Sequence, residues 1–201
     1  MCPFCYIGKR RFERALAQFE GRDAVEITWR SFQLDPDLVT DASLNAVQSL
    51  AEKKGWSEAQ AAQATNHVTQ MAAGEGLTYH FDKAVVANSF DAHRFTHFAK
   101  QHGKQLEAEE ALFLAYFTEG KNIADHAVLT DMGAAIGLDP VALRQSLDSG
   151  AFAEAVTQDI MLAQQFGINA VPFFVFDRKY GVSGAQEVGA FLQTMEKAQA
   201  G

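Results

Sequence analysis

Strand-period sequence is confined to the two ends of this chain. Residues 24–34, Ala-Val-Glu-Ile-Thr-Trp-Arg-Ser-Phe-Gln-Leu, alternate so that Val25, Ile27, Trp29 and Ser31 share one face, and Asp35-Pro36 stops the run. The next strand signal is the apolar run Phe173-Phe174-Val175-Phe176, which Asp177-Arg178-Lys179 turns toward Tyr180-Gly181-Val182-Ser183 as a hairpin partner. Between these ends the period is helical. Helices are predicted over 43–54, closed by Gly55, and from Ser57, an N-cap with Gln60 three residues on, to about 73. Others follow over 88–102, 107–119 and 127–136, then one opened by Pro140 and one over 150–166 closed by Gly167. Helices over 3–20 and 187–199 flank the strands, and there is no repeat period or low-complexity linker. The pattern predicts an α/β fold, with a split core over 1–40 and 167–201 and an inserted helical subdomain over 41–166.

At 201 residues the chain is long enough to bury a substantial core without disulfide staples. A net charge of −8 with no Lys/Arg-rich run argues against nucleic acid or anionic lipid as a partner. No apolar stretch approaches the ~20 residues of a membrane span, and no signal-peptide pattern is visible. These features predict no membrane partner and a cytoplasmic location.

The only two cysteines, Cys2 and Cys5, lie three positions apart in Cys2-Pro3-Phe4-Cys5, at the head of the first helix. Pro3 suits the first turn, where its missing N–H would have no helical partner. Phe4, Ile7, Phe12, Leu16 and Phe19 carry the helical period that follows. A sulfur at the cap sits among free backbone N–H groups, which with the helix dipole stabilise a thiolate. Thiols so placed have pKa values lowered from ~8.5 to as little as ~3.5. Three-residue spacing on a helix then keeps the second thiol within bonding reach. The expected roles are an exposed nucleophile at Cys2 and a buried resolving thiol at Cys5, with Pro3 stiffening the turn. No acidic or basic neighbour in sequence is expected to fix the redox poise. Two readings compete with redox chemistry: a zinc site shared with His93 and His97, four apart on a helix, and a pair of unreactive core thiols. The span from Cys5 to His93 fits no compact finger, so no metal is expected.

A second signal is Gly167-Ile168-Asn169-Ala170-Val171-Pro172-Phe173-Phe174. Proline at the head of a buried strand removes a ladder donor. It is either an ordinary strand-start proline or a cis Val171–Pro172 bond in a loop facing a site.

CPFCYIGKRRFE at 2–13, WRSFQLDP at 29–36, NSFDAHRF at 88–95, GINAVPFFVF at 167–176 and VSGAQ at 182–186 together resemble the DsbA-like, FrnE-type family of dithiol–disulfide oxidoreductases and isomerases. The resemblance runs over nearly the whole chain. It implies a thioredoxin-like core carrying a large inserted helical subdomain, with Pro172 as a cis-proline facing the CxxC. It implies catalytic roles for Cys2, Cys5 and Pro172. Pro3 and Phe4 then border the substrate, and Val171 offers its backbone to a substrate peptide in strand fashion. The NSFDAHR block lines up with a helix near the groove, which makes Asn88 and His93 candidate substrate-binding residues. For His93 the competing reading is a packed helix residue. His67, His80, His97, His102 and His126 read as surface, and Phe113, Tyr116 and Phe117 as helical core. Expected partners are disulfide- or thiol-containing proteins or peptides, with glutathione or a thioredoxin-type reductant exchanging electrons. No resident cofactor is expected.

One departure stands out. A thioredoxin fold has a strand before the CxxC helix, lying between those at 24–34 and 173–176, and no residues here supply it. Two unpaired backbone rows would cost about 1–3 kcal/mol per buried group. The expectation is that the natural chain has roughly ten more residues upstream, a strand and its turn, or that another segment fills the gap. Two other functions compete. Kappa-class glutathione transferases and hydroxychromene carboxylate isomerases share the layout. They use a serine at the first catalytic position and a Gly-Ser-Asp-Arg-like glutathione loop where this chain has Cys2 and Gly184-Ala185-Gln186. The other competing function is a holdase chaperone, which would not need Cys2.

Overall fold

A computed structural model describes residues 1–201. Pro3 is the first helical residue of α1 (Pro3–Gln18), and Cys2 caps it in an extended conformation. The rest of the chain runs β1 (Asp41–Asn45), α2 (Ala46–Lys54), α3 (Glu58–Gly74), β2 (Val85–Val86), α4 (Phe90–Gln101), α5 (Gln105–Phe117) and α6 (His126–Ala135). It continues with α7 (Pro140–Asp148), α8 (Ala153–Gln165), β3 (Phe173–Phe176), β4 (Tyr180–Ser183) and α9 (Val188–Ala200). Local chemistry accounts for several ends. Asn45 and Ser57 each form a reciprocal capping box, with Gln48 and Gln60. Asp139 caps α7 ahead of Pro140. Gly55 ends α2 in the left-handed region, at φ 64°.

Two apolar clusters organise the molecule. The larger gathers Phe95, Phe98 and Ala99 of α4, Leu112, Phe113 and Phe117 of α5, Leu129 of α6 and Leu143 of α7. Tyr6 and Ile7 of α1 belong to it. The smaller joins Phe12, Ala15 and Phe19 of α1 to Val182 of β4 and to Phe191 and Met195 of α9. Helix α1 therefore has one stretch in each cluster and ties them together. Phe113, Tyr116 and Phe117 are buried core residues. No helix is long and apolar enough to cross a membrane.

The sheets are minimal. β3 and β4 form an antiparallel hairpin pairing Phe173 with Ser183 through Phe176 with Tyr180. β1 and β2 form a second, irregular antiparallel pair within the segment read from sequence as a helical insertion, β1 overlapping the start of a predicted helix and β2 lying between two of them. The helix predicted from residue 43 thus begins at Ala46, because Asn45 bonds the backbone N–H of Gln48 and leaves 41–45 to pair with β2.

The predicted strand over 24–34 is a clear correction. Residues 22–24 make a short 3-10 turn, and 25–34 join no ladder. The alternation survives as burial only: Val25, Ile27, Trp29 and Ser31 turn inward, while Glu26, Thr28 and Arg30 turn outward. The physical reason is the absence of a pairing partner. β3 is hydrogen-bonded to β4 alone, and no strand lies alongside 25–34. Side-chain bonds hold the segment instead. The Gln105 amide exchanges bonds with the Trp29 backbone, and the Asp159 carboxylate accepts from the Ser31 N–H at 2.9 Å and from Arg30. His97, expected at the surface, is drawn in here, with its Nε2 3.1 Å from Asp159 and 3.2 Å from the Ser31 hydroxyl.

Gly8 sets how closely α1 approaches the hairpin. A Cβ there would stand 3.1 Å from Pro172 Cγ and 3.3 Å from the Phe174 ring. We expect Gly8→Val to destabilise the protein by about 1–3 kcal/mol in urea unfolding. Gly74→Ala, in a helix with open space around the position, should be neutral or stabilising by about 0.5–1 kcal/mol. Equal effects at the two positions would contradict close packing at Gly8.

Candidate active site

Three chain segments meet at the head of α1. The first is the CPFC turn itself. The second is the Val171–Pro172 loop, whose peptide bond is cis. The third is the segment after α3, which brings in Tyr79. The hairpin carries the proline loop: the Gly184 N–H donates to the Pro172 carbonyl at 2.8 Å, extending the β3–β4 register by one pair. Arg11 of α1 reaches across to the same end, donating to the Ala185 carbonyl at 2.7 Å. With Gly8 seated against Pro172, the Cys2 Sγ lies 3.4 Å from the Val171 carbonyl oxygen. Residues 2, 5, 171 and 172, read separately from sequence, are thus brought together.

The two sulfurs do not differ in burial in the way anticipated. Both Cys2 and Cys5 are half-buried free thiols, with no disulfide between them. Their surroundings separate them instead. A hydrogen bond from the Cys5 thiol holds the Cys2 sulfur down to about 7, against burial, with the backbone N–H groups of Cys5 and Phe4 adding to the effect. Cys5 is driven well above the ordinary thiol range by that same hydrogen bond and by burial, with the negative charges of Cys2 and Glu109 adding to the rise. One proton is shared unequally between the sulfurs, and ionisation belongs to the pair.

The neighbour that sequence reading did not find is Glu109. It lies on the buried face of α5 and is only 9% exposed. Burial pushes its carboxyl up to about 7, opposed by a hydrogen bond from Thr96 and the charge of Lys9. A signal was present. Glu109 falls at helical spacing between Gln105, Ala108, Leu112, Phe113 and Tyr116, all of them buried. Its neighbour Glu110 has the opposite fate. Half-buried, it is held down to about 2 despite burial, because Arg10, Lys9 and Tyr6 all donate to it. That cluster fastens α1 to α5 one turn beyond the cysteines.

Asn88 and His93 make their hydrogen bonds to the chain ahead of β1. The Asn88 amide donates to the Leu38 and Pro36 carbonyls, while its oxygen accepts from the Phe90 N–H and from Gln33. It clamps the loop ahead of β1 to the start of α4, beside a cavity of about 400 Å³ lined by Gln33, Thr40 and Asp91. His93 is directed at the Phe32 carbonyl, 3.1 Å away. Burial lowers its pKa to about 4, so the ring is neutral and donates that bond. With His97 engaged by Asp159, the two histidines secure the 29–34 segment. Phe4 and Phe173 present exposed rings near the site.

Comparison with known proteins shows the family and the fold. The chain matches the DSBA-like thioredoxin domain over residues 1–196. It is similar to the uncharacterized protein YwbO of Bacillus subtilis, 30% identical over 177 residues that cover 87% of this chain and 82% of that protein. It is also similar in three dimensions to a probable DsbA oxidoreductase, SCO1869, of Streptomyces coelicolor. There the TM-score is 0.92 at 37% identity, covering 99% of this chain and 86% of the other.

Glu109 provides a pH test. Its carboxyl rises from 4.5 to about 7 on folding, so the folded state binds the proton more tightly. Its stabilising contribution is complete below pH 4.5 and is lost as pH rises through 7. Relative to the parent protein, Glu109→Gln should change little at pH 4. By pH 8 it should gain on the order of 1–3 kcal/mol in urea unfolding. A difference that stays constant with pH would contradict a raised Glu109.

Proposed function

The chain belongs to the DsbA-like thioredoxin-domain family and is a thiol–disulfide oxidoreductase, and we propose that it works through the Cys2–Cys5 dithiol on disulfides or thiols of protein, peptide or small-molecule substrates. The observation that carries this reading is the 3.4 Å approach of the Cys2 sulfur to the Val171 carbonyl, beside the cis-bonded Pro172. Within the family, the sequence blocks favour the FrnE-type group of isomerases and oxidoreductases.

In the reducing direction, the Cys2 thiolate attacks one sulfur of a substrate disulfide. A mixed disulfide forms, and the other substrate sulfur leaves as a thiolate, which takes a proton from water. Cys2 no longer carries charge at that point. Two of the influences that hold the Cys5 proton, the hydrogen bond to Cys2, which is the strongest, and the Cys2 charge, are therefore gone, while burial remains. Cys5 gives its proton to solvent, restoring the one taken from water, and its thiolate attacks the Cys2 sulfur. The Cys2–Cys5 disulfide closes and the second substrate thiolate is released. Two electrons have passed from the dithiol to the substrate. The same steps reversed oxidise a substrate dithiol, and the direction follows reduction potential against the surroundings. Glutathione or a thioredoxin-type dithiol then restores the starting state. During the exchange the Val171 backbone pairs with an extended substrate segment, and Pro3, Phe4 and Phe173 border it.

A glutathione-dependent transferase is less well supported. The polar groups of the 184–186 loop are already used internally. Arg11 holds the Ala185 carbonyl, and the Gln186 amide donates to the Ser183 carbonyl at 2.9 Å.

Substitution separates the two sulfurs. Cys2→Ser should abolish disulfide exchange, by at least about 10³-fold, since a hydroxyl is not ionised at neutral pH. Cys5→Ser should accumulate a stable mixed disulfide with a substrate peptide, visible by mass spectrometry and reversed by dithiothreitol. Exchange persisting in Cys2→Ser would exclude the dithiol mechanism and leave a glutathione-dependent reaction to be tested.

A further inference from the structure

One peptide group in the CPFC turn is held from both sides. Its carbonyl is that of Pro3, and it accepts a hydrogen bond from the Tyr79 hydroxyl at 2.7 Å. Its N–H is that of Phe4, one of the two backbone donors that favour negative charge on the Cys2 sulfur. Tyr79 lies 76 residues from Pro3 in sequence, beyond the end of α3. Its ring has little freedom to move. It is 4% exposed and stacks on Phe117 at 4.6 Å and on Tyr6 at 6.2 Å, with the edge of Phe81 at 5.5 Å. Burial keeps the phenol protonated well above its ordinary range, so the hydroxyl remains a donor.

A hydrogen bond accepted at a peptide carbonyl polarises the whole amide, and the N–H of that amide becomes a stronger donor, by perhaps 10–30% per bond. The Tyr79 O–H donates to the Pro3 carbonyl, and the N–H of that same peptide, Phe4's, stands at the helix head two residues from Cys2, among the groups that favour negative charge on its sulfur. We propose that Tyr79 is a positioning residue of the CPFC turn, its hydroxyl polarising the Pro3–Phe4 peptide so that the Phe4 N–H holds the Cys2 thiolate more firmly. The hydroxyl touches neither sulfur nor substrate and acts through the peptide alone. Stabilising the thiolate stabilises the reduced protein, so Tyr79 makes the dithiol a stronger oxidant. This inference rests on the dithiol reading of the site.

The test uses the full chain, with two measurements. Thiolate absorbance at 240 nm follows Cys2 ionisation against pH, and equilibration with glutathione gives the dithiol–disulfide constant. Tyr79→Phe keeps the ring stack, and the Pro3 carbonyl retains the helical bond expected from the Ile7 N–H. It should lower the thiolate fraction at pH 6.5 roughly twofold and move the glutathione equilibrium by a similar factor toward the disulfide. Replacing Tyr79 with 3-fluorotyrosine, a stronger donor of nearly equal shape, should move both measurements the opposite way. A merely structural tyrosine would not give opposite signs for the two replacements. Unchanged ionisation and equilibrium in both folded variants, or shifts of the same sign, would overturn the proposal. If instead the parent protein forms no Cys2–Cys5 disulfide in glutathione, it is the dithiol reading that fails.

Discussion

The contact on which the rest of the structure depends is the seat of α1 against the Pro172 loop. Gly8 has no side chain to hold the two apart, and Pro172 and Phe174 fill the space a Cβ would need. That approach brings the head of the helix, with its two sulfurs, under the Val171 carbonyl. It is maintained from both ends of the helix. Tyr6 and Ile7 are packed into the large helical cluster, while Phe12, Ala15 and Phe19 are packed against the hairpin and α9. The Arg11 bond to the Ala185 carbonyl ties the hairpin to α1 a turn beyond Gly8. A shift of α1 relative to either cluster would open the site.

Within that seat, chemistry is divided between two sulfurs of similar exposure. The division comes from hydrogen bonds and nearby charge. Cys2 accepts from the Cys5 thiol and has the helix-head N–H groups, whereas Cys5 gives that hydrogen bond and faces the negative charges of Cys2 and Glu109. The wider surroundings follow the same logic. Glu109 has only a hydroxyl and a distant ammonium to offset burial, so its carboxyl rises. Glu110, one residue on, is satisfied by Arg10, Lys9 and Tyr6 and stays ionised. Adjacent carboxylates on one helix take opposite states because one faces the core and the other a cationic cluster on α1.

Local signals were legible in the sequence, although the Asn45 cap that starts α2 was not read. The capping pair at Ser57, Pro3 and Pro140 at helix starts, and the 173–183 hairpin all depend on neighbours within a few residues. So did the α/β class and the CxxC at a helix head. Long-range partners were not legible. Residues 24–34 carry a strand's alternation, yet alternation reports only which side chains face inward, and a strand also needs a neighbouring backbone. His97 sits among polar residues in sequence, but Asp159, 62 positions away, draws it inward. The block holding Asn88 and His93 resembles one near the family's groove, yet nothing in it names the 32–38 segment to which their polar atoms are bonded. Tyr79 lies in a stretch without period, and only the fold brings its hydroxyl to Pro3.

The account turns on unequal protonation of the two sulfurs, and site-resolved alkylation of the reduced protein measures it directly. Iodoacetamide labelling followed by peptide mass spectrometry from pH 5 to pH 10 would give a separate profile for each cysteine. The expected result is labelling of Cys2 with a midpoint near pH 7, and little labelling of Cys5 across the range. Equal labelling of both cysteines with a shared midpoint near that of a free thiol, about 8.5, would contradict it.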